Sequence, residues 1–230
     1  MRSYFITGTD TGTGKTRVTL ALMTAFKQLG LQVMGMKPVA TGCMRTAAGL
    51  RNPDAERIRS CCGQQAPYKL VNPCAFEAPI APLFAARADR ARIDITGIEQ
   101  AFRQLAVRAD TVIVEGVGGW RMLLGTEVQL SDVVRSLQLQ VILVTGLRLG
   151  CINHALLSAQ AIRSDGLTLA GWVANQIDPE YRAVDQTLEL LSAEIRAPLL
   201  GVLPYCVDDD CTLSASYLYR RALELLAASG

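Results

Sequence analysis

Two lysines, two carboxylates and one glycine-rich loop are the groups in this chain best equipped to handle phosphate. Gly8-Thr9-Asp10-Thr11-Gly12-Thr13-Gly14-Lys15-Thr16 follows a β-prone run, Tyr4-Phe5-Ile6-Thr7. It opens a segment whose apolar residues Val18, Ala21, Leu22, Ala25, Phe26 and Leu29 share one helical face. Glycines in such a loop let successive backbone N–H groups turn inward around an anion, and the helix N-terminus adds the positive end of its dipole. Lys15 is placed to reach the outer phosphates of a nucleotide, and the Thr16 hydroxyl to ligate Mg²⁺. The generic pattern asks for Gly at position 9, where this chain has Thr9; Gly8 stands one place early, so five residues rather than four precede Gly14. The plainer reading is a turn that merely joins strand to helix. The loop lies between the required elements and keeps Gly14-Lys15-Thr16, so it reads as a nucleotide site.

Glu115 follows an apolar strand and precedes Gly116-Val117-Gly118-Gly119, a position from which a carboxylate can help hold Mg²⁺ beside a phosphate loop. Its alternative is an ordinary solvated acid. Asp54 is a second candidate, although Pro53-Asp54 equally begins a helix. Lys37, set before Pro38 at a strand end, is either a surface cation or a second ammonium that stabilises charge developing in phosphoryl transfer. Leu149-Gly150-Cys151-Ile152-Asn153 turns from strand into helix, and its first N–H groups suit a carboxylate or phosphate. The single histidine, His154, reads as a structural hydrogen-bonding residue, and Trp120 and Trp172 as packing.

The elements that must position these groups follow in order. Residues 32–39 read as a second strand, 40–53 as a loop and 54–61 as a short helix. Pro67, Pro73, Pro79 and Pro82 mark an irregular stretch. A helix is expected from Thr96, capped by it and boxed by Glu99. Thr111-Val112-Ile113-Val114, residues 140–145, 168–174 and 199–203 are apolar runs of the kind buried on both faces of a parallel sheet. Helices are expected at 153–165, 180–196 and 213–228. The alternation implies an α/β fold with helices on both faces of a mostly parallel sheet. No repeat or linker interrupts it, so residues 1–230 are taken as one domain. Ligands of such sheets bind outside the carboxyl ends of the strands, where the loop, Lys37, Glu115, Asn175 and Pro204 all fall.

Half the residues are hydrophobic, 19% are charged and the formal net charge is only +2, which argues against disorder and gives no nucleic-acid or membrane-surface patch. No apolar run approaches the ~20 residues of a membrane span and no basic leader precedes the first strand, so a cytoplasmic protein is expected. The seven cysteines form no C-x-x-C pair and read as free thiols, mostly packed as small hydrophobes.

Beyond the loop and Gly35-Met36-Lys37-Pro38-Val39-Ala40-Thr41-Gly42, the chain carries Gly49-Leu50-Arg51-Asn52 with Asp54, Val71-Asn72-Pro73, and Val114-Glu115-Gly116 with Gly118-Gly119-Trp120. Gly150-Cys151-Ile152-Asn153-His154-Ala155-Leu156, Gly171-Trp172-Val173-Ala174-Asn175 and Ala197-Pro198-Leu199-Leu200-Gly201 with Pro204 complete the set. In this order, across residues 4–205, the pieces resemble the dethiobiotin synthetases, whose phosphate loop shows the same one-residue shift. The resemblance implies a P-loop NTPase-like three-layer sandwich and an ATP- and Mg²⁺-dependent homodimeric ligase. Its substrates are 7,8-diaminopelargonic acid and CO₂, closed to the cyclic urea dethiobiotin in biotin synthesis.

By that analogy Thr16, Asp54 and Glu115 ligate the metal, and Lys15, Lys37 and Thr11 serve catalysis. ATP is expected against Gly12, Thr13, Gly14, Lys15, Thr16, Arg17, Asp54, Glu115, Gly116, Val117, Gly118 and Gln176, with adenine held by Asn175 and the loop of Pro204, Tyr205 and Cys206. Thr11, Lys37, Thr41 and Gly118 surround the diamine or carbamate, and Gly150, Cys151, Ile152 and Asn153 receive the substrate carboxylate in the partner subunit's site. The chain departs from the family at Thr41, where serine is common, at Leu83, at Arg121-Met122-Leu123 and at Cys211, departures that bear on pocket shape and nucleotide selectivity. Two alternatives stand beside this reading. One is a paralogue acting on a related diamine. The other is a nucleotide-switch ATPase of the partitioning kind, whose loop resembles one with a lysine where this chain has Asp10.

Overall fold

The computed structural model describes residues 3–62, 66–206 and 210–228. The chain opens with β1 (Tyr4–Gly8), the phosphate-type loop and α1 (Lys15–Gln28). β2 (Val33–Met36) is shorter than the expected 32–39, because Pro38 carries no N–H and the chain leaves the sheet at Lys37. Val39–Ala40 forms a separate short strand, β3. The expected loop 40–53 contains an antiparallel hairpin, β4 (Met44–Thr46) and β5 (Gly49–Arg51), whose two-residue turn lacked a strong sequence signal. Next comes α2 (Pro53–Cys61), with Asn52 capping it through a side-chain bond from Ala55 N–H and proline at its first position.

The proline-rich stretch is more regular than its composition suggests. It holds α3 (Tyr68–Val71), β6 (Cys74–Ala75, paired with β3) and α4 (Pro82–Ala88), and Pro67 and Pro82 sit at helix starts, where a missing N–H costs nothing. α5 (Ile95–Ala106) begins earlier than expected: Asp94, not Thr96, caps it by accepting from Gly97 N–H. β7 (Thr111–Gly119) runs five residues past the apolar core of the expected strand, so Glu115 lies inside a strand rather than after one. α6 (Leu130–Ser136) lies outside the expected helices. β8 (Gln140–Leu147), α7 (Cys151–Ser164), β9 (Leu169–Gln176), α8 (Val184–Glu194) and β10 (Leu199–Leu203) follow the anticipated alternation. The expected last helix is two: α9 (Cys211–Ser216) and α10 (Arg220–Ala228), parted where Leu218 bridges to Gly201.

The six-stranded sheet has the order β10-β9-β8-β1-β7-β2, and every pair in it is parallel. All five residues of β1 and the first seven of β9 are buried, which requires helices on both faces. The chain steps from β1 across to β2, returns with β7 beside β1, then adds β8 on the other flank. That reversal opens a crevice at the carboxyl end of β1, the place where such sheets bind ligands. Trp172 is fully buried and Trp120 nearly so, both as packing residues. Among the described residues no helix is long and apolar enough to cross a membrane.

Candidate nucleotide and phosphoryl-transfer site

A cavity of about 400 Å³ lies in that crevice. It gathers Thr11, Gly12, Gly14, Lys15, Thr16 and Arg17 from the loop and α1, Lys37 and Thr41 from around β3, Asp54 from α2, and Glu115, Gly116, Val117 and Gly118 from β7. Residues far apart in sequence thus meet at one edge of one sheet. Gly14 caps α1 in the left-handed region, φ 85°, and a Cβ there would fall 2.1 Å from Asn175 Nδ2. Only glycine fits both demands. Thr13 turns its side chain inward to donate to Asp10 O, and Lys15 Nζ donates to the same carbonyl at 2.9 Å, folding the lysine back over its own loop.

Lys37 Nζ donates to Asp54 Oδ2 at 2.8 Å and to Glu115 Oε1 at 2.5 Å, and Thr16 Oγ1 donates to Glu115 Oε1 at 2.8 Å. Glu115 is 1% exposed and Lys37 6%, so this is a buried charge cluster rather than a surface pair. Burial is the largest single influence on the Lys37 ammonium and lowers its pKa, but Glu115 and Asp54 together outweigh it and the net shift is upward. Lys15 goes the other way. Burial pulls it down to about 8, and the neighbouring Lys37 charge adds to the effect, while Glu115 opposes it. Glu115 and Asp54 offset the Lys37 charge, whereas Lys15, bound among the described residues only to a backbone carbonyl, is the ammonium that an incoming anion would stabilise most.

Glu115 Oε2 is buried and has no hydrogen-bond donor. An idle carboxylate oxygen beside Thr16 Oγ1 and Asp54 fits a hard divalent cation, which takes oxygen ligands. No group of three His, Cys, Asp or Glu side chains forms a cage among the described residues. Two carboxylates and a hydroxyl suit Mg²⁺, which fills its remaining positions from phosphate oxygens and water.

The second set of expected residues lies beside the cavity. Arg17 Nη1 donates to Asn175 Oδ1 at 3.0 Å and to Pro204 O at 2.8 Å, while its Nε donates to Ser214 Oγ at 3.0 Å. Asn175 Nδ2 donates to Thr13 O, so the ends of β9 and β10 are tied to the phosphate loop. Tyr205 is exposed and Cys206 half-buried just beyond Pro204, whereas Gln176 turns its side chain to Asp178 O. Gly150, Cys151, Ile152 and Asn153 stand at the start of α7 and do not line the cavity. Cys151 is buried there and Asn153 is exposed. Arg148 links this turn to the loop by an ion pair with Asp10 at 2.9 Å. Asn52 and Arg57 also line the cavity and lie outside the expected site set; Arg57 lies three residues from Asp54 on α2, the spacing that shares a helix face.

A family model described as an AAA domain matches residues 2–209. The ATP-dependent dethiobiotin synthetase BioD of Pseudomonas paraeruginosa (strain DSM 24068 / PA7) is 47% identical over 224 residues, 97% of this chain and 98% of that protein. The chain belongs to the AAA-domain family and to the dethiobiotin synthetases. The BioD of Xanthomonas oryzae pv. oryzae (strain PXO99A) is 44% identical over 94% of this chain and 96% of its own length. Among solved structures, the MinC:MinD cell division protein complex of Aquifex aeolicus contains a chain matched at TM-score 0.61 and 16% identity, covering 100% of this chain and 97% of that one. The signal recognition particle receptor FtsY of Elizabethkingia anophelis matches at TM-score 0.56 and 13% identity, over 100% of this chain and 64% of that one. At such identities these likenesses concern the fold alone. A dethiobiotin synthetase here shares its P-loop NTPase-like sheet with proteins of other trades.

Proposed function

We propose that this dethiobiotin synthetase carries out the ATP-dependent carboxylation and ring closure of 7,8-diaminopelargonic acid to dethiobiotin in biotin synthesis. The observation that carries the reading is the convergence of Lys15, Lys37, Asp54 and Glu115 on one cavity at the phosphate loop. One amine of the substrate adds to CO₂ and loses a proton, giving a carbamate. A carbamate oxygen attacks the ATP γ-phosphorus, ADP leaves, and a carbamic–phosphoric anhydride results. The second amine attacks the anhydride carbonyl carbon, phosphate leaves with the bonding pair, and the ring nitrogen gives up a proton.

The second step brings an anion onto an anion, and the chain's cations answer that problem. In this reading Lys15 leaves Asp10 O to meet the outer phosphates and Lys37 meets the carbamate and the transferring group, so the developing charge finds two ammonium groups, both buried at the cavity's wall. Thr11, Thr41 and Gly118 also line the cavity, and in this reading they contact the diamine. Thr16, Asp54 and Glu115 would hold Mg²⁺, which when bound supplies further neutralisation of the phosphate oxygens. Arg17, Asn175, Pro204, Tyr205 and Cys206 serve the nucleotide base, Gln176 standing next to them. The protein is proposed to be one domain, cytoplasmic, and a homodimer in which Gly150 to Asn153 receive the substrate carboxylate for the partner subunit.

The direct test is incubation with the diamine, bicarbonate, Mg²⁺ and ATP, with dethiobiotin followed by mass. Stoichiometric ADP and dethiobiotin are expected, with little phosphate release when the diamine is left out. Rapid diamine-independent ATP hydrolysis without product would point to a nucleotide switch instead.

A further inference from the structure

The Val71-Asn72-Pro73 motif has no place in the cavity, yet it grips the residue that does most there. Lys37 is the last residue before Pro38, one beyond the final sheet partner of β2 at Met36. Neither of its backbone polar groups is held by the sheet. Its N–H donates to Val71 O at 2.8 Å, and its carbonyl accepts from Asn72 Nδ2 at 2.7 Å. The Asn72 carboxamide is itself fixed: Oδ1 accepts from Tyr68 OH at 3.0 Å. That phenol oxygen has a second partner, accepting from Asn52 N–H at 2.8 Å. Asn52 caps α2, the helix that carries Asp54 in its first turn. The Tyr68 hydroxyl therefore joins the strand end bearing Lys37 to the helix start bearing Asp54, and the two side chains meet at 2.8 Å in the cavity.

The link is built like an interior, not a surface. Asn72 is 3% exposed, and Tyr68 and Asn52 are buried as well. The Arg51 guanidinium lies over the Tyr68 ring, 4.1 Å from its centroid, which fixes the ring plane and so the direction of the hydroxyl. Burial raises the Tyr68 pKa, so the hydroxyl stays a donor to Asn72. A fully satisfied buried network of this kind specifies one geometry, and removing one member leaves its partners unpaired.

We infer that Tyr68 and Asn72 are positioning residues for the reaction, setting the Lys37 ammonium against Asp54 and Glu115 so that it meets the transferring phosphoryl group in register. The inference rests on the reading of Lys37 as the group that stabilises phosphoryl transfer. Neither Tyr68 nor Asn72 lines the cavity; each acts through Lys37.

The test is Tyr68→Phe, with Asn72→Asp as a second variant of nearly unchanged volume should the first fail to fold. Either is expected to lower kcat about 10- to 100-fold, the range for a misplaced reacting group. The KM for ATP should stay within about twofold, because the phosphate loop is held by other contacts. Each substitution is also placed in a Lys37→Ala background, and the slow residual product formation is followed by mass over hours. No further loss is expected there, since the lysine being positioned is gone. A merely structural role predicts instead a loss that multiplies with Lys37→Ala, or an ATP KM that climbs in step with the fall in kcat, and either result overturns the inference. Unchanged kcat in both variants also overturns it. If Lys37→Ala alone kept normal turnover, the functional reading of Lys37 would fail first, and the two failures are told apart by that single variant.

Discussion

Glu115 uses one carboxylate oxygen twice and leaves the other idle, and that asymmetry yields a prediction at the scale of single atoms. Oε1 accepts from both Lys37 and Thr16, whereas Oε2 is buried without a donor. Glu115→Gln keeps the shape but removes the charge that balances Lys37 and attracts a divalent cation. It should lower kcat by about 10²–10³, in line with loss of one preorganised electrostatic partner. Mn²⁺ binding to the ATP complex, read by electron paramagnetic resonance, should weaken at least by the ~10–100-fold typical of losing an outer partner of a metal. Unaltered Mn²⁺ affinity would remove Glu115 from the ligand set. Part of this arrangement is legible in the sequence: Lys15 stands at a helix start and Lys37 just past a strand end, while Glu115, although inside β7, directly follows its apolar run. The contacts between them are not. Joining Lys37 to Asp54 and Glu115 takes the crossing of β2, α2 and β7, and no spacing along the chain announces which carboxylate a lysine will choose.

Among the elements, the strands of the sheet are the most readable part because burial on both faces writes them as continuous apolar runs, as in Val112 to Val114 and Val141 to Val144. The short elements that carry Asn72 and the Thr41 region are obscured by proline, whose local signal says turn while the surrounding packing places it at helix starts. The C-terminal helix is misread as one because its apolar spacing is kept across Tyr217 to Tyr219, where a bridge from Leu218 to Gly201 breaks it. β2 and α2, which together bring Lys37 to Asp54, pack closely enough to need a glycine between them. A Cβ on Gly35 would lie 2.4 Å from Ile58 Cγ2 and 2.7 Å from Met23 Cε, and both side chains are fully buried. Gly35→Ala is therefore expected to cost about 1–3 kcal/mol of stability, the usual penalty of overpacking a core. Urea denaturation would show it as a lower midpoint at unchanged slope. A variant as stable as the parent would mean that α2 can retreat, and that the Lys37–Asp54 contact is less rigidly framed than its burial suggests.

The whole molecule leaves one group of expected residues apart from the cavity. Gly150 to Asn153 open α7 at a site of their own, with Leu149 90% and Leu157 56% exposed on the same stretch. A helix start expected to receive an anion, flanked by bare leucines, is accounted for if a second copy of the chain covers it and brings its own phosphate loop to the substrate's other end. In a two-fold dimer each active site would then draw Lys37 from one subunit and Asn153 from the other. Subunit mixing tests this without reference to size. Lys37→Ala is expected to leave only slow residual turnover, and Asn153→Asp, by setting a charge against the substrate carboxylate, to raise the diamine KM. Unfold and refold the two variants together at equal concentration, and half the dimers become mixed. Each mixed dimer holds one site with both defects and one with neither. Assayed at a diamine concentration well below the raised KM, the mixture should recover about a quarter of wild-type activity, although each parent is nearly inactive. If Asn153 served its own subunit's site, every site in the mixed dimer would carry one defect. Activity would then stay at the average of the parents, and the turn at α7 would need another ligand.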